Sequence, residues 1–190
     1  MSLTSSSADM CASQLLCDAA GAEVPFLRPP TLASDTASSI DVVMHALDFL
    51  EENERSFDIV LLLEPTSPLR EVVDIEAALR SMAEMKASAV VSVCRAESTH
   101  PAFMFRITEN GRLDHFLSLS PSGVRRQEIE PLFYLDGTLY ASTVDALRQQ
   151  RSFYHEDTLA YEVSKWKALE IDDIEDFEMI EAIAMYRGLA

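Results

Sequence analysis

The stretch Ala168-Leu169-Glu170-Ile171-Asp172-Asp173 puts two carboxylates two residues apart. On a strand, alternate side chains share a face, so Glu170 and Asp172 would converge, and a converging pair at a strand end can hold Mg²⁺ against phosphate oxygens. The same acids also suit the start of a helix, with Asp172 or Asp173 as cap and the others in its first turn. A second segment, Leu61-Leu62-Leu63-Glu64-Pro65-Thr66-Ser67-Pro68-Leu69-Arg70, is an apolar run that stops at a turn fixed by two prolines. Such a turn presents Glu64, Thr66 and Ser67 in a defined geometry. The plainer reading is a strand-to-helix connection whose hydroxyls satisfy backbone donors.

Two further segments offer cations, helix ends and aromatic rings. Arg28 carries a planar fork suited to phosphate or ribose oxygens, and a helix starting near Ser38 offers free N–H groups beside Ala37 and Ser39. Asp35 and Ser39 read equally well as helix caps. Arg126 can pair bidentately with a carboxylate, or belong to a solvated turn. Asp136-Gly137 is a tight-turn pair ahead of Tyr140, and Phe153-Tyr154 reads on its own as core packing.

The elements that must position these groups alternate between helix and strand. Helices are expected over residues 8–20, ending at Gly21, from Ser38 or Ser39 to about 53, over 72–85, 144–150 and 174–187. Residues 23–27 form a short extended piece. Residues 58–63 and 89–94 are continuous apolar runs, the mark of strands buried on both faces of a parallel sheet. Residues 132–141 form a strand broken at Asp136-Gly137, and 159–163 and 168–171 are short strands. Between about 97 and 131 the pattern changes to short alternating pieces around Asn110-Gly111 and Pro121-Ser122-Gly123, an antiparallel excursion. The whole predicts a layered α/β domain, in which ligands bind at the carboxyl ends of strands.

The net charge of −17 argues against a protein that tracks nucleic-acid phosphates, which needs a basic stripe. No apolar run approaches the length of a membrane span, and the start is too short and polar for a signal peptide. Cys11, Cys17 and Cys94 lack metal or redox spacing and read as reduced thiols of a cytoplasmic protein. The four histidines are scattered, so no histidine metal site is indicated.

Taken together, the four segments resemble, in order and close to spacing, the motifs of CMP-sialic acid synthetases and related acylneuraminate cytidylyltransferases. L-L-x-P-T-S-P-L-R is similar to the family's strand-end motif, with Glu64 where the family usually has Gln facing the sugar. R-P…L-A-x-D-T is similar to the stretch through Arg28 to Thr36, and R-x-Q…N-G-x-I-Y to the stretch from Arg125 to Tyr140, with Asp136 in place of Asn. E-I-D followed by D-F matches Glu170 to Phe177.

The resemblance implies a three-layer Rossmann-like nucleotide-sugar transferase fold in a single domain over 1–190. It also implies a small antiparallel dimerisation arm at about 97–131. The implied partners are CTP, an acidic nine-carbon sugar and a second copy in a homodimer, with no nucleic acid and no membrane. Arg28, Ala37 and Ser39 would contact the nucleotide. Glu64, Arg126, Tyr140, Phe153 and Tyr154 would line the sugar pocket, Arg126 serving the neighbouring copy. Glu170 and Asp172 would be the catalytic pair that holds Mg²⁺. The family's loop of the form A-R-x-G-S-K-x-x-x-K-N has no counterpart here, which implies a shortened member, weak or inactive alone. Loss of the strand before that loop would leave an apolar, unpaired sheet edge. The alternative is a non-catalytic sugar- or nucleotide-binding or dimeric assembly protein on the same fold.

Overall fold

The computed structural model describes residues 14–17, 19–34, 37–116 and 129–189. They fall into two compact units, one up to Phe57 and one from Asp58 onward.

In the first unit, residues 14–17 and 19 are helical and Gly21 follows with φ +79°, as expected for the end of the first helix; residues 8–13 and 18 lie outside the described residues. The extended piece expected at 23–27 is irregular, and a short 3₁₀ turn follows at Pro30–Leu32. Helix α1 spans Ser39–Glu52. Ser38 caps it by accepting the Asp41 N–H at 3.1 Å, and the Asn53 side-chain amide returns to the Phe49 carbonyl at 2.7 Å. Phe26 packs edge-on against His45 and tilted against Phe49, with ring centres 5.0 and 4.8 Å apart. Arg55 grips Glu23 through both guanidinium nitrogens, at 2.6 and 3.0 Å.

The second unit is built on a four-stranded mixed sheet in the order β1-β5-β2-β6, where β1 is Ile59–Leu62, β2 Ala89–Arg95, β5 Phe133–Thr143 and β6 Thr158–Glu162. Strand β5 runs antiparallel to both β1 and β2, and β2 pairs parallel with β6. The continuous apolar run of β2 is buried from Ala89 to Cys94, as a central strand requires. The similar run of β1 has another fate. Among the described residues it stands at the sheet edge, pairs only with antiparallel β5, and leaves Ile59 exposed, so the expectation of a strand buried on both faces of a parallel sheet is corrected.

Helix α2, Val72–Met85, lays Ala78 and Met82 on Val90, Leu139 and Ala141 of the sheet, with Leu61, Leu63, Leu159 and Tyr161 around them. Burying each of the larger side chains contributes about 1.5–3 kcal/mol. Helices α3, Val144–Gln150, and α4, Ile174–Arg187, have the predicted bounds. Asp173 caps α4 by accepting the N–H groups of Glu175 and Asp176 at 2.8 and 3.0 Å. The excursion between β2 and β5 contains a two-stranded antiparallel ribbon, β3 Phe105–Ile107 with β4 Leu113–His115, turned at Gly111. Its second turn signal, Pro121-Ser122-Gly123, lies outside the described residues.

Candidate functional site at the end of strand β1

A break in β5 shapes the site. Val91 pairs with Tyr140 and Val93 with Leu135, so residues 136–139 stand opposite Ser92 alone. This bulge forces a polar network into the sheet centre. The Ser92 hydroxyl donates to Asp136 Oδ1 and accepts the Leu139 N–H at 2.9 Å, while the Thr138 N–H donates to the same Asp136 oxygen at 2.9 Å. Asp136 is buried and its Oδ2 has no partner among the described residues.

Gly137 takes φ +69° at the crest of the bulge, and a Cβ there would lie 1.8 Å from Glu170 Oε1 and 2.9 Å from Ser67 Oγ. The glycine is therefore needed twice, for its backbone angle and for the close seat of Glu170. Ser67 is wholly buried. Its hydroxyl stands 3.4 Å from Glu170 Oε1 and 3.5 Å from the Asp136 carbonyl. The turn that carries it is tied by the Ser67 N–H to the Glu64 carbonyl at 3.2 Å and by Arg70, whose guanidinium donates to the same carbonyl. The Ile171 N–H closes the arrangement on the Thr66 carbonyl at 2.9 Å.

Residues 168–171 do not form a strand, which corrects that expectation. Ala168 ends a turn and the chain runs on irregularly into α4, so alternation does not orient Glu170 and Asp172. Glu170 is half-buried against the turn, and Asp172 is exposed, with its N–H donating to Asp176 at 3.1 Å. The two acids still share a field. Burial pushes the Glu170 carboxyl up, and Asp172, Asp136 and Glu64 push it further, against a lowering bond from Ser67. Burial likewise raises the Tyr140 phenol, with Glu170, Glu64 and Asp136 adding to it. Tyr140 therefore stays a neutral hydroxyl, able to donate.

The structure thus brings together Glu64, Tyr140, Glu170 and Asp172, and it sets Ser67 of the expected turn and the Asp136-Gly137 pair directly against Glu170, a contact that the sequence does not show. Phe153 is buried with its ring 5.9 Å from that of Tyr140, whereas Tyr154 is 59% exposed. Arg28, Ala37 and Ser39 belong to the first unit, where Arg28 and Ser39 are exposed and the Ala37 N–H donates to Ser34 at 3.0 Å. Arg126 lies outside the described residues. A separate cavity of about 340 Å³, lined by residues such as Arg95, His100, Phe103 and Pro131, opens where the chain leaves β2 and re-enters β5, and includes none of these site residues.

Comparison of the sequence with curated proteins finds relatives of one kind. The N-acylneuraminate cytidylyltransferase of Streptococcus agalactiae serotype V is 31% identical over 151 residues, 80% of this chain and 35% of the relative. This chain is a relative of the acylneuraminate cytidylyltransferases. The CMP-N,N'-diacetyllegionaminic acid synthase of Legionella pneumophila is 34% identical over 142 residues, 73% of this chain and 58% of that protein. The pseudaminic acid cytidylyltransferase of Campylobacter jejuni is 23% identical over 164 residues, 86% of this chain and 69% of that protein. The chain thus spans about a third of the length of the streptococcal relative and somewhat over half of the Legionella one. No family model matches the chain. Among the described residues, no helix is long and apolar enough to cross a membrane.

Proposed function

We propose that the strand-end site takes CTP and an acidic nine-carbon sugar of the nonulosonic type, in the reaction that yields the CMP-sugar and pyrophosphate. The observation that carries this reading is the seat of Glu170 on Gly137 and Ser67, in the same electrostatic field as the Tyr140 hydroxyl. In the proposed reaction the sugar's anomeric hydroxyl attacks the α-phosphate of CTP. A new P–O bond forms, the bond to the β-phosphate breaks, and pyrophosphate leaves.

Glu170 and Asp172 would hold Mg²⁺. Like charges that already raise the Glu170 carboxyl favour a cation there. No group of three or more acids, histidines or cysteines is set to hold a metal among the described residues, so water and phosphate oxygens would complete the shell, which suits Mg²⁺. Once bound, the ion would supply positive charge that orients the phosphates and acidifies the sugar hydroxyl. Tyr140 would donate a hydrogen bond to the sugar, Phe153 would back the pocket wall with Tyr154 at its rim, and Arg126 would take the sugar carboxylate. Arg28, Ala37 and Ser39 would bind the nucleotide. Glu64 offers an acceptor where the family's amide offers a donor as well, which favours a nonulosonate other than sialic acid itself. A cytoplasmic location and a homodimer joined through the β3–β4 arm complete the proposal.

The test pairs calorimetry with pyrophosphate release. The chain contains no Gly-Ser-Lys loop, and losing even one donor to developing charge commonly costs about 10²–10³ in rate. The expected outcome is CTP or CMP-sugar binding in the presence of Mg²⁺ with feeble turnover of sialic, legionaminic and pseudaminic acids. Robust turnover overturns the expectation of weakness. Dimerisation without nucleotide binding favours the non-catalytic assembly reading instead, which the exposed apolar side chains of β3 and β4 support.

A further inference from the structure

Lys167 is 8% exposed, and a buried ammonium is tolerated only when it is paired. Its Nζ lies 2.5 Å from Glu71 Oε2 and 2.6 Å from Asp74 Oδ2. These two acids form the capping box that starts α2: the Asp74 side chain accepts the Glu71 N–H at 3.3 Å, and the Asp74 N–H donates to the Glu71 backbone carbonyl at 3.1 Å. Asp74 also receives the Tyr161 hydroxyl of β6 at 3.3 Å, and the Lys167 carbonyl accepts from Thr138 of the β5 bulge at 3.3 Å. Burial alone would push the Lys167 amine down; its bonds to Asp74 and Glu71 outweigh that and leave it raised, so it stays charged.

This cluster lies beside the acidic pair along the chain. Residues 168–171 have no ladder bonds to fix them, because they form no strand. They are pinned at one end by the Lys167 ion pairs and at the other by the Ile171 N–H on Thr66. Glu170 lies between the two pins. Both pins reach the same element, the turn and its continuation into α2.

We propose that Lys167 is the positioning residue of the acidic pair: by bridging both carboxylates of the α2 capping box, it sets where Glu170 and Asp172 stand relative to the Pro65–Arg70 turn. Removing the ammonium would leave Glu71 and Asp74 facing each other unbalanced at the helix start. The stretch up to Ile171 would lose its ion-pair anchor and keep the Thr138 and Ser164 bonds and the Ile171 N–H. The consequence for a bound cation rests on the cytidylyltransferase reading above.

The experiment compares wild type, Lys167→Met, Lys167→Arg and Glu71→Gln in the whole chain. It measures hydrogen exchange at the Ile171 amide and Mn²⁺ affinity by calorimetry. The expected result is faster exchange at Ile171 in Lys167→Met, with Val90 and Leu139 in the sheet core still protected, and Mn²⁺ binding weaker by about 10–100-fold. Lys167→Arg should restore both. Unchanged Ile171 exchange and Mn²⁺ affinity in a folded Lys167→Met protein overturn the proposal. If that variant does not fold, Glu71→Gln decides: it keeps the cap and removes one ion pair on a side chain that is 40% exposed, so a smaller shift in the same direction supports the proposal and no shift overturns it. Absence of Mn²⁺ binding in the wild type sinks the cation reading, while the Ile171 amide still decides the role of Lys167.

Discussion

The centre of the β2–β5 pair and the β3–β4 ribbon are both antiparallel and both carry apolar residues, yet they meet opposite environments. In the first, Val90, Leu139 and Ala141 are wholly buried, and so are the polar residues Ser92, Thr138 and Ser142. In the second, all six strand residues are exposed, with Ile107 at 77% and Leu113 at 69%. A two-stranded ribbon has no second layer, whereas the central strands have α2 above them and neighbours on both sides. Apolar strand residues thus mark a core in one region and an exposed surface in the other. The polar groups differ too: at the centre Ser92, Asp136 and Thr138 are buried and bonded to one another, whereas Arg106 and Thr108 of the ribbon make their bonds at the surface.

The largest effect expected from this contrast is at Gly137. Gly137→Ala adds a Cβ 1.8 Å from Glu170 at φ +69°, and the backbone conformation alone costs about 1–3 kcal/mol before the overlap. Urea unfolding should show that loss together with displacement of Glu170. Ser92→Ala comes next. It strands the Leu139 N–H and removes a donor from Asp136, a loss of roughly 1–3 kcal/mol by the same measurement.

Glu170→Gln should act the other way. A carboxyl whose folded pKa is raised binds its proton more tightly when folded, so stability falls as pH rises from the ordinary carboxylate value through the raised one. The variant should therefore be more stable than wild type at neutral pH, and thermal melts should converge below the ordinary carboxylate range. The smallest effect on stability belongs to Ile107→Ser or Leu113→Ser in the ribbon, within about 0.5 kcal/mol. If the proposed homodimer forms through the ribbon, light scattering should nonetheless show its loss. A ribbon variant as destabilised as Ser92→Ala would break the comparison.

Helices were the most legible part of the fold. Their bounds were readable from apolar residues at helical spacing and from caps at Ser38 and Asp173, while the Glu71–Asp74 box and the Thr143 cap are findings of the structure. Strand roles were less legible. Residues 58–63 and 89–94 are equally apolar, and only the pairing order makes β1 an edge and β2 a centre. Within the candidate site, the resemblance of their motifs singled out Glu64, Tyr140 and Glu170, which the structure sets in one electrostatic field. Ser67 as the contact of Glu170 and the burial of Lys167 were not, since both depend on residues about a hundred positions away.

From the sequence alone came the helices, the strand-end turn and the turn glycine at position 137, because local sterics, capping and side-chain period act within one or two turns of chain. The tertiary structure alone decided that residues 168–171 give up the strand and that Glu170 lies on Gly137. It also decided that a buried lysine bridges the start of α2. Those outcomes depend on which distant backbone presents a free carbonyl, a missing Cβ or an opposite charge, and no stretch of neighbouring residues encodes that.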